Sequence, residues 1–208
     1  MEIFSESPDG IARAMEVLRA GGVVAHATET CYGLACDLRN PAAVERLFLV
    51  KERPFTQPVS ALFSSIEEAQ TFVVFSERAL EIAKKHLPGP LTIVLPLQED
   101  APFLIHVCPP SQSPTLIHNT AIGIRISSSP LAQALVLAFG SPITTTSANI
   151  HGEPNPYSVY DITSQFLGKN AVPDLVIDSG PLPPAPPSTV VEVIGDRLKV
   201  LRQGALVL

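Results

Sequence analysis

The stretch Ala121-Ile122-Gly123-Ile124-Arg125-Ile126, then Ser129-Pro130, then Pro142-Ile143-Thr144-Thr145-Thr146 decides the fold class. The first and last runs are β-rich. Between them Ser129 caps, and Pro130 opens, an apolar helix through Leu131, Leu135 and Ala138. Strand, helix and strand in direct succession form an α/β unit, and the same alternation extends outward in both directions. Upstream, Ser7-Pro8 opens an amphipathic helix that stops at Gly21-Gly22, and Val23 to His26 reads as a strand. Asn40-Pro41 opens a helix with Val44, Leu47 and Phe48 on one face, and Pro58 to Phe63 reads as a strand. Ser65-x-x-Glu68 is a capping box for a helix to about Thr71. Ser76 to Leu87 is helical and is broken by Pro88-Gly89-Pro90, after which Leu91 to Leu97 is β-rich. Downstream, Ser158 to Leu167 reads as a helix and Leu175 to Asp178 as a strand. Thr189 to Ile194 and Leu198 to Arg202 form a hairpin turned by Gly195-Asp196. With no internal repeat, the expectation is one α/β domain over residues 1–208, built on a mixed sheet.

Composition narrows the function classes. The 208 residues are 46% hydrophobic and 16% charged, which excludes a disordered chain. A net charge of −6 excludes a generally basic coat for nucleic acid and leaves room for a local basic site. No run approaches the roughly 18 apolar residues of a membrane span. The opening MEIFSESPDG is too acidic and polar for a targeting leader, so a cytoplasmic protein is expected. Cys31, Cys36 and Cys108 have no metal-site spacing and read as reduced interior thiols. The five histidines, His26, His86, His106, His118 and His151, are scattered without ligand spacing.

The remaining charge points to a site. Residues 101–150 carry one charged side chain, Arg125, inside an apolar strand. Such an arginine needs an anionic partner, either a bound ligand or a carboxylate distant in sequence. Lys51-Glu52-Arg53-Pro54 is a second basic point; Lys51 and Arg53 would point the same way in an extended chain and together suit a polyphosphate. Two hydroxyl-rich loops, Thr28-Glu29-Thr30 and Thr144 to Asn149, follow strand runs, where open α/β sheets bind ligands. Pro181 to Pro187 reads as a stiff polyproline connector that sets the approach of Ser188-Thr189-Val190. With no Walker A loop, GxGxxG or His-Glu-x-x-His, the residues describe a dry cleft of cations and hydroxyls suited to an anionic small molecule.

Seven landmarks in order resemble the YrdC family of threonylcarbamoyl-AMP synthases. They are Thr28-Glu29-Thr30-Cys31-Tyr32-Gly33-Leu34, Lys51 to Pro54, Leu87 to Thr92, Ile124-Arg125, Thr146 to Asn149 with Gly152-Glu153-Pro154, Pro187 to Val190, and Arg202 to Ala205. The resemblance implies a twisted mixed sheet flanked by helices, with an open concave cleft. It implies synthesis of L-threonylcarbamoyladenylate and pyrophosphate from L-threonine, bicarbonate and ATP. That product would pass to a threonylcarbamoyl transferase complex for tRNA modification, with tRNA itself a candidate contact. By the same resemblance Lys51, Arg53, Gln57, Ser147, Asn149, Asn155 and Arg202 would hold ATP. Thr30, Arg125, Thr145 and Ser188 would hold threonine, with Lys51, Arg53 and Arg125 as the catalytic cations. Mg²⁺ would ride on phosphate oxygens, with no dedicated protein ligands.

Three positions depart from the family pattern: Leu62 replaces a threonine-side histidine, Ala27 the first proline, and His151 a serine. Two other readings share the fold. A carbamoyl-adenylate-forming module of hydrogenase maturation sits in long chains with zinc-finger cysteines, which this sequence lacks. A non-catalytic RNA-binding or ribosome-assembly factor is the alternative of another class.

Overall fold

Each helix begins at the cap that the sequence offers. The side-chain oxygens of Ser7, Asn40, Ser65, Ser76, Ser129 and Ser158 accept hydrogen bonds from first-turn backbone amides that would otherwise be unpaired. The helices that follow are α1 (Pro8–Arg19), α2 (Pro41–Lys51), α3 (Ile66–Gln70), α4 (Glu77–His86), α5 (Pro130–Phe139) and α6 (Val159–Gln165). The last is shorter than expected, stopping before Leu167. The computed structural model describes residues 1–99, 101 and 121–208, so the readings for Cys108, His106 and His118 lie outside the described residues.

Between the helices run β1 (Glu2–Ser5), β2 (Val24–Ala27), β3 (Tyr32–Ala35), β4 (Ser60–Leu62), β5 (Leu91–Pro96) and β6 (Ala121–Arg125). They are followed by β7 (Ile143–Ser147), β8 (Leu175–Asp178), β9 (Thr189–Ile194) and β10 (Arg197–Arg202). Among the described residues they form one sheet in the order β1-β8-β2-β3-β7-β4-β6-β5-β9-β10. The sheet is mixed: β1–β8, β2–β8, β4–β6 and β5–β9 are parallel, and the remaining pairs are antiparallel. β9 and β10 form the expected hairpin, with Gly195 at φ 57° supplying the left-handed turn.

Two strands differ from the sequence expectation. β1 is a four-residue edge strand, too short to show alternation. β3 contains Gly33, which weakens any strand signal and sits close to a neighbouring strand. A Cβ there would lie 3.3 Å from the Thr146 carbonyl oxygen of the neighbouring β7. Both β2 and β3 are fully buried, and α1 and α5 pack against each other and onto β2.

One hydroxyl makes three of the hydrogen bonds that tie back the C-terminal segment, and Ala205 N donates to the Pro187 carbonyl at 2.9 Å as well. Thr189 Oγ1 donates to the Leu206 carbonyl at 2.7 Å and accepts from the amides of Gly204 and Leu206 at 3.1 and 3.0 Å. A Cβ on Gly204 would fall 2.1 Å from the Pro187 carbonyl oxygen and 2.6 Å from the Ser188 carbonyl carbon, both backbone atoms. Gly204→Ala is therefore expected to cost about 1–3 kcal/mol of stability by overpacking. Urea unfolding would show it as a lower midpoint at unchanged slope.

Candidate active site

The period of two along each strand sends alternate side chains into one cleft. Thr145 and Ser147 of β7, Ser60 of β4, Gly123 and Arg125 of β6, Thr92 of β5 and Val190 of β9 all line it. Strand register brings them together: Ser60 pairs with Thr145, and Thr92 with Val190. The rim comes from Thr30 and Cys31 after β2, the Arg53–Val59 loop, Asn155, and Pro187-Ser188. The cleft has a volume of about 500 Å³, within the range of small-molecule sites. Among the described residues no Asp or Glu lines it, whereas Arg53, Arg125 and Arg202 do.

Two of the three guanidiniums are held by neutral groups. Arg53 Nε donates to the Gln57 carbonyl and Nη2 to the Pro58 carbonyl, both at 2.9 Å. Arg202 Nη2 donates to Ser188 O at 2.8 Å and Ser188 Oγ at 3.0 Å, while Thr92 Oγ1 lies 3.1 Å from that hydroxyl. Burial, and then the charge of Arg202, lower the pKa of Arg53; burial, and then the charge of Arg125, lower that of Arg202. Crowded like charges without a carboxylate among the lining groups make a receptor for a polyanion.

Arg125 has the distant carboxylate that its isolation in sequence demanded. Its Nη2 donates to Glu29 Oε1 and to Thr30 Oγ1, both at 2.9 Å. The Glu29 carboxylate also accepts from the Ser127 hydroxyl. Burial pushes the Glu29 pKa upward, but Arg125 and Ser127 together hold it below the usual carboxylate range. Arg125 Nε is buried with no hydrogen-bond partner among the described residues. The guanidinium therefore meets an internal carboxylate and also lines the cleft.

Of the residues assigned by resemblance, the cleft brings together Arg53, Gln57, Ser147, Asn155, Arg202, Thr30, Arg125, Thr145 and Ser188. Two of the assigned residues, Lys51 and Asn149, stand outside the cleft lining. Lys51 ends α2, and Glu52 caps that helix in the left-handed region at φ 49°, so the chain joining Lys51 and Arg53 is not extended. The buried Lys51 ammonium donates to Ser147 O at 2.5 Å, Asn149 O at 2.9 Å and Asn149 Oδ1 at 3.2 Å. Burial pushes its pKa down to about 7, with Arg53 adding to the effect. Asn149 is likewise turned into the loop, its amide donating to the Glu153 carbonyl. Both side chains fasten the loop that carries Ser147.

Leu62 pairs with Arg125 in the sheet, is fully buried, and does not line the cleft. Cys31 and Cys36 are free and buried. Burial raises the Cys31 pKa, and it pushes the Cys36 thiol up to about 12. Pro181 to Pro187 lies along Tyr157, which hydrogen-bonds Leu182 N at 2.7 Å and Ala185 O at 3.0 Å, and it delivers Ser188 to the cleft. Sequence reasoning missed Ser60 and Thr92 as cleft residues and Glu29 as the partner of Arg125. Strand parity could have found the first two.

The family model for Sua5/YciO/YrdC, described as "Telomere recombination", matches residues 16–204. The chain belongs to this family. The threonylcarbamoyl-AMP synthase of Photobacterium profundum is 31% identical over 201 residues, covering 94% of this chain and 100% of the relative. The P. abyssi Sua5 solved in complex with L-threonine is 30% identical, with a TM-score of 0.81 over 98% of this chain. This chain spans 57% of that Sua5. E. coli YciO is 27% identical, with a TM-score of 0.79 over 98% of this chain and 93% of YciO. The Sua5/YciO/YrdC membership accounts for the ordered landmarks and for the mixed sheet with its flanking helices. No helix among the described residues is long and apolar enough to cross a membrane.

Proposed function

We propose that this chain is a threonylcarbamoyl-AMP synthase, a cytoplasmic nucleotidyltransferase that joins L-threonine, bicarbonate and ATP for tRNA modification. The observation that carries the reading is the convergence of Arg53, Arg125 and Arg202 on a hydroxyl-rich cleft whose lining has no Asp or Glu among the described residues. Threonine's amine and bicarbonate give a carbamate with loss of water, a carbamate oxygen forms a bond to the α-phosphorus, and the bond to the β,γ-phosphates breaks to release pyrophosphate. Such a transfer needs alignment and charge neutralisation, and no protein nucleophile.

Arg125, with Thr30, Thr145 and Ser188, binds threonine through its carboxylate and hydroxyl. Arg53, Gln57, Ser147, Asn155 and Arg202 bind ATP, the two arginines taking phosphate oxygens. Lys51 and Asn149 act on ATP through the loop they fasten. Guanidinium, hydroxyl and amide donors without a carboxylate suit Mg²⁺ carried by the nucleotide, where it would neutralise phosphate charge. A threonylcarbamoyl transferase complex would consume the product, and tRNA is a candidate contact. Pyrophosphate release, measured with each proteinogenic amino acid with and without bicarbonate, tests the reading. Release is expected with threonine only when bicarbonate and ATP are both present.

A further inference from the structure

Strand register lays the cleft floor out in rows. Arg125 of β6 pairs with Leu62 of β4. Two residues back along β4, Ser60 pairs with Thr145 of β7 and lies against Gly123 of β6. Two residues further along β7 stands Ser147. At about 3.3 Å per residue, the row of Thr145, Ser60 and Gly123 lies between Arg125 and Ser147, roughly 6.6 Å from each along the strands. All five residues of this path line the cleft. The Ser147 hydroxyl donates to Asn149, and the Ser188 hydroxyl meets Arg202 and Thr92. The Ser60 hydroxyl, by contrast, has no hydrogen-bond partner among the described residues. A Cβ on Gly123 would fall 2.6 Å from Ser60 Oγ and 3.0 Å from Thr92 Cγ2, so the bare backbone there leaves the hydroxyl its place on the floor.

Resting on the reading above, threonine's carboxylate sits at Arg125 and ATP at Ser147. The group that has to lie between them is the carbamate. Its carbon is bonded to threonine's nitrogen, and one of its oxygens must reach the α-phosphorus. We infer that Ser60 is a catalytic residue, whose hydroxyl donates a hydrogen bond to the carbamate oxygen that does not attack. The other oxygen forms the bond to phosphorus, the bond to the β,γ-phosphates breaks, and Ser60 keeps its proton throughout. Holding one oxygen sets the direction of the other, which is the alignment that the transfer needs.

The test measures pyrophosphate release by wild type, Ser60→Ala, Ser60→Thr and Ser60→Val over a range of bicarbonate, with calorimetry of L-threonine and of ATP in bicarbonate-free buffer. Ser60→Ala should lower kcat/KM for bicarbonate about tenfold or more, as loss of a hydrogen bond to a charged group does, and leave the threonine and ATP affinities within about twofold. Ser60→Thr and Ser60→Val add similar bulk and differ in the hydroxyl, so Ser60→Thr should exceed Ser60→Val about tenfold in kcat/KM for bicarbonate. An unchanged value in Ser60→Ala, or equal values in Ser60→Thr and Ser60→Val, would overturn the assignment. So would a loss of threonine affinity in Ser60→Ala as large as the loss in kcat/KM, because Ser60 would then hold the amino acid itself. Failure of the synthase reading looks different: wild type would release no pyrophosphate with all three substrates present, and the assignment would fall with it. An active wild type with unaffected variants overturns the assignment alone.

Discussion

Arg125→Ala is expected to lower kcat/KM for L-threonine in pyrophosphate release by about three orders of magnitude, the largest functional effect of any single change considered. Two losses combine. The substrate carboxylate loses a guanidinium that sits on β6 at the floor of the cleft, and Glu29 is left as a buried carboxylate without its cation. The second loss has a visible consequence of its own. Without Arg125, burial of Glu29 is opposed only by its hydrogen bonds to Ser127 and to backbone, so its pKa should rise. The double variant Arg125→Ala/Glu29→Gln should be more stable than Arg125→Ala, because it removes the stranded charge, and it should remain as inactive. Thermal unfolding of the two variants, with initial rates at saturating ATP, separates the effects. Equal stability would mean that Glu29 finds another partner.

Lowering the pH from 6.5 to 4 should cost about 3 kcal/mol of stability through His26 alone. This residue of β2 is fully buried; its Nδ1 donates to the Ala27 carbonyl at 3.1 Å, and Nε2 has no partner among the described residues. Burial, aided by the charge of Arg125, pushes its pKa down to about 4. Between the unfolded pKa of about 6.5 and this native value, the unfolded chain binds a proton that the native state does not. Acidification in that window therefore favours unfolding, and the stabilisation is full only above it. Glu29 acts with its own window lower, since its native pKa is depressed and its contribution is lost as pH falls through the native value. Urea unfolding free energies measured at intervals from pH 7 to pH 4 should fall steeply for wild type, and His26→Phe should flatten the curve above pH 4.5. An unchanged slope in that variant would mean that the acid sensitivity belongs to other groups.

Local chemistry was legible in the chain, and long-range pairing was less so. The caps at Ser7, Asn40 and Ser129 and the glycine hairpin at Gly195 each act within a few residues, so sequence neighbours suffice to read them. Lone Arg125 announced that it needed an anion, but its partner lies 96 residues away in a loop read only for its hydroxyls. The placing of the Lys51 side chain was hidden for a similar reason. The direction of its side chain depends on where α2 ends and on the left-handed turn at Glu52, and a Lys-x-Arg spacing carries neither. Strand β3 was hidden by Gly33, where a side chain would sit tightly against the Thr146 carbonyl of β7. The low charge of the middle of the chain proved the most informative compositional feature, because it marked the strands that floor the cleft.

The measurement closest to the central claim is mass spectrometry of the product formed from ATP, L-threonine and carbon-13 bicarbonate. The account predicts an adenylate containing threonine joined through one labelled carbon, formed together with pyrophosphate and absent when any of the three substrates is withheld. An adenylate of threonine without the labelled carbon, or nucleotide turnover indifferent to bicarbonate, would contradict it.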